Sequence, residues 1–171
     1  WSQVEIYLVD ERYVPLDNKY SNYRMISESL EKPLEGKLRA FHFFDTSLPI
    51  AQALKAYEKE LRVGDASFFD LVVLGIGTDG HTASLFPRSK ALKMEKRWTA
   101  HTTTDEFDVC DRLTLTYPAL ESSKEIFFLL KGEDKRAIYS QLIRSGSGNS
   151  KLPAARLFHG EKTQVFFLNN G

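Results

Sequence analysis

A histidine and an aspartate stand in a glycine-rich segment near the middle of the chain. Residues 75–81 read Gly-Ile-Gly-Thr-Asp-Gly-His, so Asp79 and His81 are two positions apart. Glycines permit positive φ and let a backbone approach a ligand closely. A neutral imidazole titrates near the operating pH and can act as a base, and a neighbouring carboxylate can orient it. The pattern therefore indicates a general base beside backbone N–H groups that could bind an anion or a developing oxyanion.

The same glycine spacing has two other interpretations. Gly75, Gly77 and Gly80 follow the Gly-x-Gly-x-x-Gly pattern of dinucleotide-binding loops. The continuation Asp-Gly-His-Thr is unlike the small-residue helix start of those folds, and no Asp or Glu closes a strand about 20 residues further on. These two differences exclude a nicotinamide site. A plain strand-to-helix turn, with Asp79 as a cap and His81 exposed, remains the alternative.

Short apolar runs that alternate with amphipathic stretches must position these residues, and they predict an α/β fold with a mostly parallel sheet. The run 68–74, directly before the glycine segment, is typical of a strand buried on both faces of such a sheet. Residues 49–61 carry apolar side chains at intervals of three and four, which predicts a helix. Residues 4–9 predict a strand that runs into a loop at 10–12. Ligands in open α/β sheets bind beyond the carboxyl ends of strands, where the glycine segment lies.

Weaker patterns complete the predicted framework. Residues 112–116 alternate with period two, which predicts a strand at an edge or with one buried face. The other predicted elements are helices over 21–30 and 133–143 and strands over 40–44, 125–130 and 165–168. Together these elements make one α/β domain, without an internal repeat or an interdomain linker.

Composition and charge exclude several classes of function. The chain has 171 residues, and 23 basic residues balance 23 acidic ones, so no overall field attracts nucleic acid or an acidic membrane. No apolar run approaches the roughly 18–20 residues that span a bilayer. A single cysteine, Cys110, excludes an intrachain disulfide. We expect a soluble, cytoplasmic protein, a monomer or weak homo-oligomer, with no nucleic-acid or membrane partner.

Residues 74–87, Leu-Gly-Ile-Gly-Thr-Asp-Gly-His-Thr-Ala-Ser-Leu-Phe-Pro, resemble the signature of the 6-phosphogluconolactonases. These enzymes share a family with the glucosamine-6-phosphate isomerases. Weaker matches occur in the family's order at Val9 to Arg12, Ser21-Asn22, Arg112 to Thr116 with Pro118, Gly132 with Lys135, and Pro153-Ala154. The resemblance runs from residue 4 to about residue 167. It implies a Rossmann-like fold of the sugar-phosphate isomerase and lactonase type, with helices on both faces of the sheet, as a single catalytic domain over residues 1–171.

The resemblance also implies an activity. The expected reaction is hydrolysis of 6-phospho-D-glucono-1,5-lactone to 6-phosphogluconate in the oxidative pentose phosphate pathway, with no cofactor and no metal. The partner is then a small phosphorylated sugar lactone. His81 is the expected base for water, and Asp79 is expected to hold its ring. Gly75, Gly77 and Gly80 are expected to bind the substrate through backbone N–H groups.

A substrate phosphate requires cationic ligands, and three basic residues match the family pattern. Arg12, Arg112 and Lys135 are expected to bind it, since guanidinium forks match phosphate oxygens and lysine adds a point charge. The alternative for each is a solvated surface charge. Asp10 and Asn22 are further expected substrate contacts, although each could instead cap a turn or a helix. Three histidines lie outside any motif and are expected to serve ordinary packing: His42, His101 and His159.

Two other functions remain as alternatives. Glucosamine-6-phosphate isomerases share the fold and the Asp-Gly-His core, but they place a carboxylate in an Asn-Glu-Pro segment after the histidine. Residues 85–87 of this chain are Leu-Phe-Pro, without a carboxylate, which favours the lactonase. A non-catalytic sugar-phosphate sensor would keep the cations and lose the base, and the retention of Asp79 and His81 argues against it.

The family pattern also includes a Ser-Gly-Gly-x-Thr-Pro phosphate loop before the first strand. This chain starts at Trp1 and has no such loop there. We expect that an N-terminal strand–loop–helix segment is missing from it.

Overall fold

The computed structural model describes residues 1–61, 68–146 and 151–168. These residues form an α/β structure of eight strands and five α-helices. The strands are β1 (Glu5–Tyr7), β2 (Asp10–Arg12), β3 (Ala40–His42), β4 (Phe69–Leu74), β5 (Thr99–Thr103), β6 (Asp111–Leu115), β7 (Ser123–Lys131) and β8 (Thr163–Leu168). The helices are α1 (Asn22–Ile26), α2 (Ile50–Glu60), α3 (Tyr117–Glu121), α4 (Asp134–Ser145) and α5 (Ala155–Phe158). A π-helix (Ser27–Glu31) and a 3-10 turn (Lys32–Leu34) continue α1, and a second 3-10 turn covers Lys90–Lys93.

The central parallel sheet has the strand order β4-β7-β8. Leu74 at the end of β4 pairs with Phe128 of β7. Both side chains are buried, in a core shared with Tyr57 of α2 and Ile138 of α4. Because β4 and β7 run in the same direction, the chain leaves β4 at the carboxyl edge of the sheet and enters the glycine segment there. The α/β class with parallel strands, predicted from the sequence, is confirmed.

One face of this sheet is open among the described residues. Leu71 and Val73 of β4 are 44% and 46% exposed, and Leu129 of β7 is 52% exposed. The alternate residues Val72 and Leu74 are only 3% and 2% exposed. The apolar run of β4 predicted burial on both faces, whereas within residues 1–61, 68–146 and 151–168 only one face is covered.

The antiparallel sheet β2-β6-β5 corrects one prediction and refines another. Residues 10–12, predicted as a loop, form β2 and pair with β6, with Asp10 opposite Thr114 and Arg12 opposite Arg112. Three consecutive charges suggested a loop, but the period of a strand sends Glu11 to one face and its two neighbours to the other. Strand β6 was predicted at an edge or with one buried face, and it is the buried middle strand of this sheet.

A two-residue connection, Leu8 and Val9, leads from β1 into the antiparallel sheet. β1 pairs in parallel with β3, and the chain then passes through Leu8 and Val9 into β2. The Tyr57 hydroxyl donates to the Leu8 carbonyl (2.9 Å), and the Leu115 N–H donates to the Val9 carbonyl (2.8 Å). These bonds anchor the residues before β2 to α2 and to β6. In the part of the chain that the structure describes, no helix is long and apolar enough to cross a membrane.

Candidate active site

A cavity of about 630 Å³ opens where the glycine segment meets β2 and the start of α4. This volume suits a small-molecule ligand. Its polar lining comprises Asp10, Arg12, Asn22, Gly75, Gly77, Thr78, His81 and Lys135, and its apolar lining includes Val9, Met25, Ile26, Phe107 and Leu130.

The imidazole of His81 is held by Asp79. The distance from His81 Nδ1 to Asp79 Oδ1 is 2.5 Å, and the same oxygen accepts the His81 backbone N–H at 3.1 Å. The two side chains are 19% and 18% exposed, so the pair is largely shielded from water. With Nδ1–H donating to the carboxylate, Nε2 carries the lone pair. In this tautomer Nε2 is the ring atom of His81 that could accept a proton.

The turn beneath this pair depends on Gly77. The Gly77 N–H donates to the His81 carbonyl (2.8 Å), and the Gly80 N–H donates to the Gly77 carbonyl (2.9 Å). A Cβ at position 77 would lie 2.1 Å from His81 Nδ1 and 2.6 Å from Asp79 Oδ1, which is too close for any side chain. The two N–H groups close the turn, so these glycines shape the site instead of offering their amides to a ligand.

Arg12, Asn22 and Asp10 form one hydrogen-bonded chain on the opposite wall. Arg12 Nη1 donates to Asn22 Oδ1 and to the Tyr20 carbonyl (3.2 Å). Asn22 Nδ2 donates to Asp10 Oδ1 (3.2 Å) and to the Asp10 carbonyl (2.9 Å). The amide of Asn22 thus has its oxygen towards a cation and its nitrogen towards an anion, which fixes its orientation.

Glu11 lies between Asp10 and Arg12 in β2 and has a structural role. Its carboxylate is fully buried and accepts the backbone N–H groups of Arg12 (2.7 Å), Asn22 (2.6 Å) and Tyr23 (2.7 Å) and the Ser21 hydroxyl (3.1 Å). Burial raises the pKa of the Glu11 carboxyl, while these four hydrogen bonds act in the opposite direction. Glu11 joins β2 to the first turn of α1 and so holds Arg12 and Asn22 side by side.

Lys135 reaches the cavity from the first turn of α4. Gly132 has a φ of +98°, and this turn leads from β7 into the helix. The Lys135 side chain is 25% exposed, and its Nζ lies 3.5 Å from the Asp134 carboxylate. The cation therefore stands at the carboxyl edge of β7, next to the edge from which the glycine segment leaves.

Arg112 does not line this cavity. Its side chain is buried, Nε donates to the Val109 carbonyl (2.9 Å), and the guanidinium lies 5.5 Å from the centre of the Phe107 ring. Burial lowers the pKa of Arg112, and the nearby charge of Arg12 lowers it further, against the attraction of Asp10. Arg112 is paired with Arg12 across β2 and β6, which places the two side chains on the same face of the sheet. The phosphate contact expected of Arg112 stays a prediction.

The structure thus brings most of the predicted residues to one place. Asp10, Arg12, Asn22, Gly75, Gly77, His81 and Lys135 line the cavity. Asp79 takes part through its bond to His81. Gly80, with a φ of +83°, is buried against Leu152 and shapes the turn from outside the cavity wall.

Two residues of the site were missed by the sequence analysis. The ring of Phe107 meets the His81 ring edge-on at 5.7 Å, and it lies in a stretch without any periodic pattern that could have revealed it. Ser84 lies inside the motif, and its hydroxyl donates to Asp10 Oδ2 at 2.6 Å. Only the pairing of β2 with β6, which the sequence did not predict, brings this serine and Asp10 together.

The other histidines lie away from the cavity. His42 Nδ1 is 2.6 Å from Glu60, His101 Nε2 is 2.6 Å from Asp111, and His159 Nε2 is 2.8 Å from a backbone carbonyl. Across residues 1–61, 68–146 and 151–168 no group of three His, Cys, Asp or Glu side chains could hold a metal ion.

The fold and the cavity define a class: α/β proteins that place a His–Asp pair and basic side chains beyond the carboxyl edge of a parallel sheet. The family model of glucosamine-6-phosphate isomerases/6-phosphogluconolactonase matches residues 1–167. The chain belongs to this family.

Individual relatives agree with the family match. The chain is 36% identical over 166 residues to the 6-phosphogluconolactonase of Thermotoga maritima, covering 97% of this chain and 72% of that protein. The crystal structure of the Thermotoga maritima 6-phosphogluconolactonase superposes with a TM-score of 0.81, covering 99% of this chain and 74% of the other. A 6-phosphogluconolactonase from Shewanella baltica superposes with a TM-score of 0.83 at 30% identity, covering 99% and 72%.

Proposed function

We propose that the protein hydrolyses 6-phospho-D-glucono-1,5-lactone to 6-phosphogluconate, the lactonase step of the oxidative pentose phosphate pathway. One observation carries the proposal: an oriented imidazole, His81, shares a cavity with two cations, Arg12 and Lys135. The relatives named 6-phosphogluconolactonase support the choice of this reaction within the family.

His81 acts first as a base. Its Nε2 takes a proton from water as the water oxygen attacks the lactone carbonyl, and Asp79 stabilises the imidazolium that forms. The tetrahedral intermediate then breaks its bond to the ring oxygen, and His81 returns the proton to that oxygen. The product is the open-chain acid, which ionises in water, so His81 ends in its starting state.

Arg12 and Lys135 bind the phosphate at the other end of the substrate. They come from β2 and α4, so a phosphate between them is held by two separate elements. Guanidinium and ammonium groups each form charge-assisted hydrogen bonds with phosphate oxygens. Binding the phosphate away from the reacting carbon orients the lactone against His81, and such positioning accelerates the reaction.

The isomerase alternative lacks its second carboxylate. The position after His81 at which that reaction would need a glutamate is Phe86, whose ring lies 4.8 Å from the His81 ring and is buried. A phenyl ring at this position cannot transfer a proton, so the site favours hydrolysis over isomerisation.

An assay of lactone hydrolysis tests the proposal. Freshly generated 6-phosphogluconolactone is mixed with the protein, and the formation of 6-phosphogluconate is followed beside the spontaneous rate. Heat-inactivated protein is the control. We expect a rate that rises in proportion to protein concentration. A rate equal to the spontaneous one, with binding of 6-phosphogluconate intact, would instead indicate a sugar-phosphate sensor.

A further inference from the structure

Ser84 links the glycine-rich segment, which carries His81, to strand β2, which carries Arg12. It lies three residues after His81, is 1% exposed and does not line the cavity. Its hydroxyl donates to Asp10 Oδ2 (2.6 Å), and its backbone N–H donates to the Thr114 hydroxyl (3.2 Å). Asp10 and Thr114 are paired across β2 and β6, so both contacts fall on the same face of that sheet.

The hydroxyl of Ser84 completes the coordination of the Asp10 carboxylate. Oδ2 accepts from Ser84, and Oδ1 accepts from Asn22 Nδ2 at 3.2 Å. With one donor on each oxygen, the carboxylate is held against rotation about its Cβ–Cγ bond. The chain continues through Asn22 Oδ1 to Arg12 Nη1.

All donors and acceptors along this chain are compatible. The ionised carboxylate of Asp10 can only accept, and Ser84 and the Asn22 amide nitrogen both donate to it. Arg12 can only donate, and the Asn22 amide oxygen accepts from it. Ser84 and Arg12 are therefore the two ends of one hydrogen-bonded chain that passes through Asp10 and Asn22.

We propose that Ser84 is a positioning residue for substrate binding, which holds Asp10 and, through Asn22, the Arg12 guanidinium in their binding orientation. The inference rests on the proposed function and adds to it a residue that never touches the substrate. Ser84 acts on the binding wall, whereas Asp79 acts on the base, so the two residues affect different kinetic constants.

The first test is Ser84→Ala. We expect KM for 6-phosphogluconolactone to rise about tenfold, the size of one lost hydrogen bond to a charged group, with kcat within about twofold of the wild-type value. Ser123→Ala is the matched control, since Ser123 is another buried serine, whose hydroxyl donates to the Leu120 carbonyl (2.8 Å), and it does not line the cavity. The control should change neither constant. An unchanged KM in Ser84→Ala, or a loss confined to kcat, would overturn the inference.

A double-mutant cycle tests whether Ser84 affects KM through Asp10 or by another route. If Ser84 acts through Asp10, Ser84→Ala should add nothing to KM in an Asp10→Asn background. If the two effects multiply, the serine acts by another route and the inference is wrong. Thermal unfolding of each variant checks that it is folded. Should Ser84→Ala fail to fold, Ser84→Cys, which keeps one heavy atom beyond Cβ and weakens the donor, is measured in its place.

Titration calorimetry with 6-phosphogluconate provides a readout without turnover. Wild-type protein that binds the product but does not hydrolyse the lactone contradicts the proposed function alone, and the Kd of Ser84→Ala still tests the positioning role. Active wild type with an unaltered Kd and KM in Ser84→Ala contradicts the inference alone. Wild-type protein that neither binds nor reacts contradicts both.

Discussion

At the scale of single residues, the site divides its tasks between two walls. In the proposed mechanism, His81 and Asp79 form the first wall, which supplies the base, and Asp10, Asn22 and Arg12 form the second, which binds the substrate. Hydrogen bonds connect the residues within each wall. Substitutions on the first wall should alter kcat, and substitutions on the second should alter KM.

Replacement of His81 tests the first wall. We expect His81→Ala to lower kcat by about 10²- to 10⁴-fold, because the variant loses its general base. His101→Ala is the matched control, since His101 has the same kind of bond to a carboxylate, 2.6 Å from Asp111, outside the cavity. Steady-state rates of lactone hydrolysis make the comparison. A near-wild-type rate in His81→Ala would remove this residue from the mechanism.

Replacement of Arg12 tests the second wall. We expect Arg12→Ala to raise KM for the phosphorylated lactone by about tenfold or more and to leave the hydrolysis of unphosphorylated gluconolactone nearly unchanged. The control is Arg24→Ala, which removes an exposed arginine of α1 that is paired with Glu28. Equal effects on the two lactones would contradict a phosphate contact.

At the scale of elements, the glycine turn fixes the geometry of the base. Gly77→Ala should lower kcat by about 10²-fold or more, because its Cβ would lie 2.1 Å from the His81 ring and displace it. Gly160→Ala is the control outside the cavity, since a Cβ at that position comes no closer than 3.3 Å to its neighbours. Both variants are compared in kcat and in thermal stability. Equal kcat values for the two would show that the turn does not hold His81 in place.

The first turn of α1 depends on one buried carboxylate. Glu11→Ala leaves three backbone N–H groups and the Ser21 hydroxyl without their acceptor, so we expect a loss of about 3 kcal/mol or more in the free energy of unfolding. Glu28→Ala, at an exposed ion pair, should change it by less than about 0.5 kcal/mol. Urea unfolding measures both. Similarly small losses of unfolding free energy in the two variants would refute the structural role of Glu11.

The sequence predicted some elements better than others, for physical reasons. Period and composition were sufficient for β4 and for α2, whose buried Ala53, Leu54 and Tyr57 lie on one face. The strand β2 escaped prediction because its residues are all charged and only its pairing with β6 makes it a strand. β5 escaped because Thr99–Thr103 has no apolar alternation, although threonine itself favours strands. Both elements depend on long-range partners, which no local pattern records.

The same reason limits what the sequence could say about the site. The motif around His81 predicted the base and its orienter from neighbouring residues. The burial of Arg112 beside Arg12 and the contact of Ser84 with Asp10 both depend on how β6 pairs with β2, so no local pattern predicts either. Contacts within one turn can be read locally, whereas contacts between strands require the fold.

At the scale of the whole molecule, the two faces of the parallel sheet contribute unequally to the free energy of unfolding. Leu74→Ala removes a side chain that is 2% exposed and should cost about 2–5 kcal/mol in the free energy of unfolding. Leu71→Ala, on the open face of the same strand at 44% exposure, should cost less than half as much. Urea unfolding of the two variants measures both losses in free energy. Equal costs would mean that Leu71 is covered in solution.

The central claim is that the imidazole of position 81 and the basic groups of β2 and α4 contact the same small molecule from opposite ends. A crystal structure of the protein with 6-phosphogluconate measures this directly. We predict that the phosphate lies within hydrogen-bonding distance of Arg12 and Lys135 and that the carboxylate formed at C1 lies beside His81 Nε2. A phosphate bound away from both cations, or a C1 carboxylate remote from His81, would contradict the account.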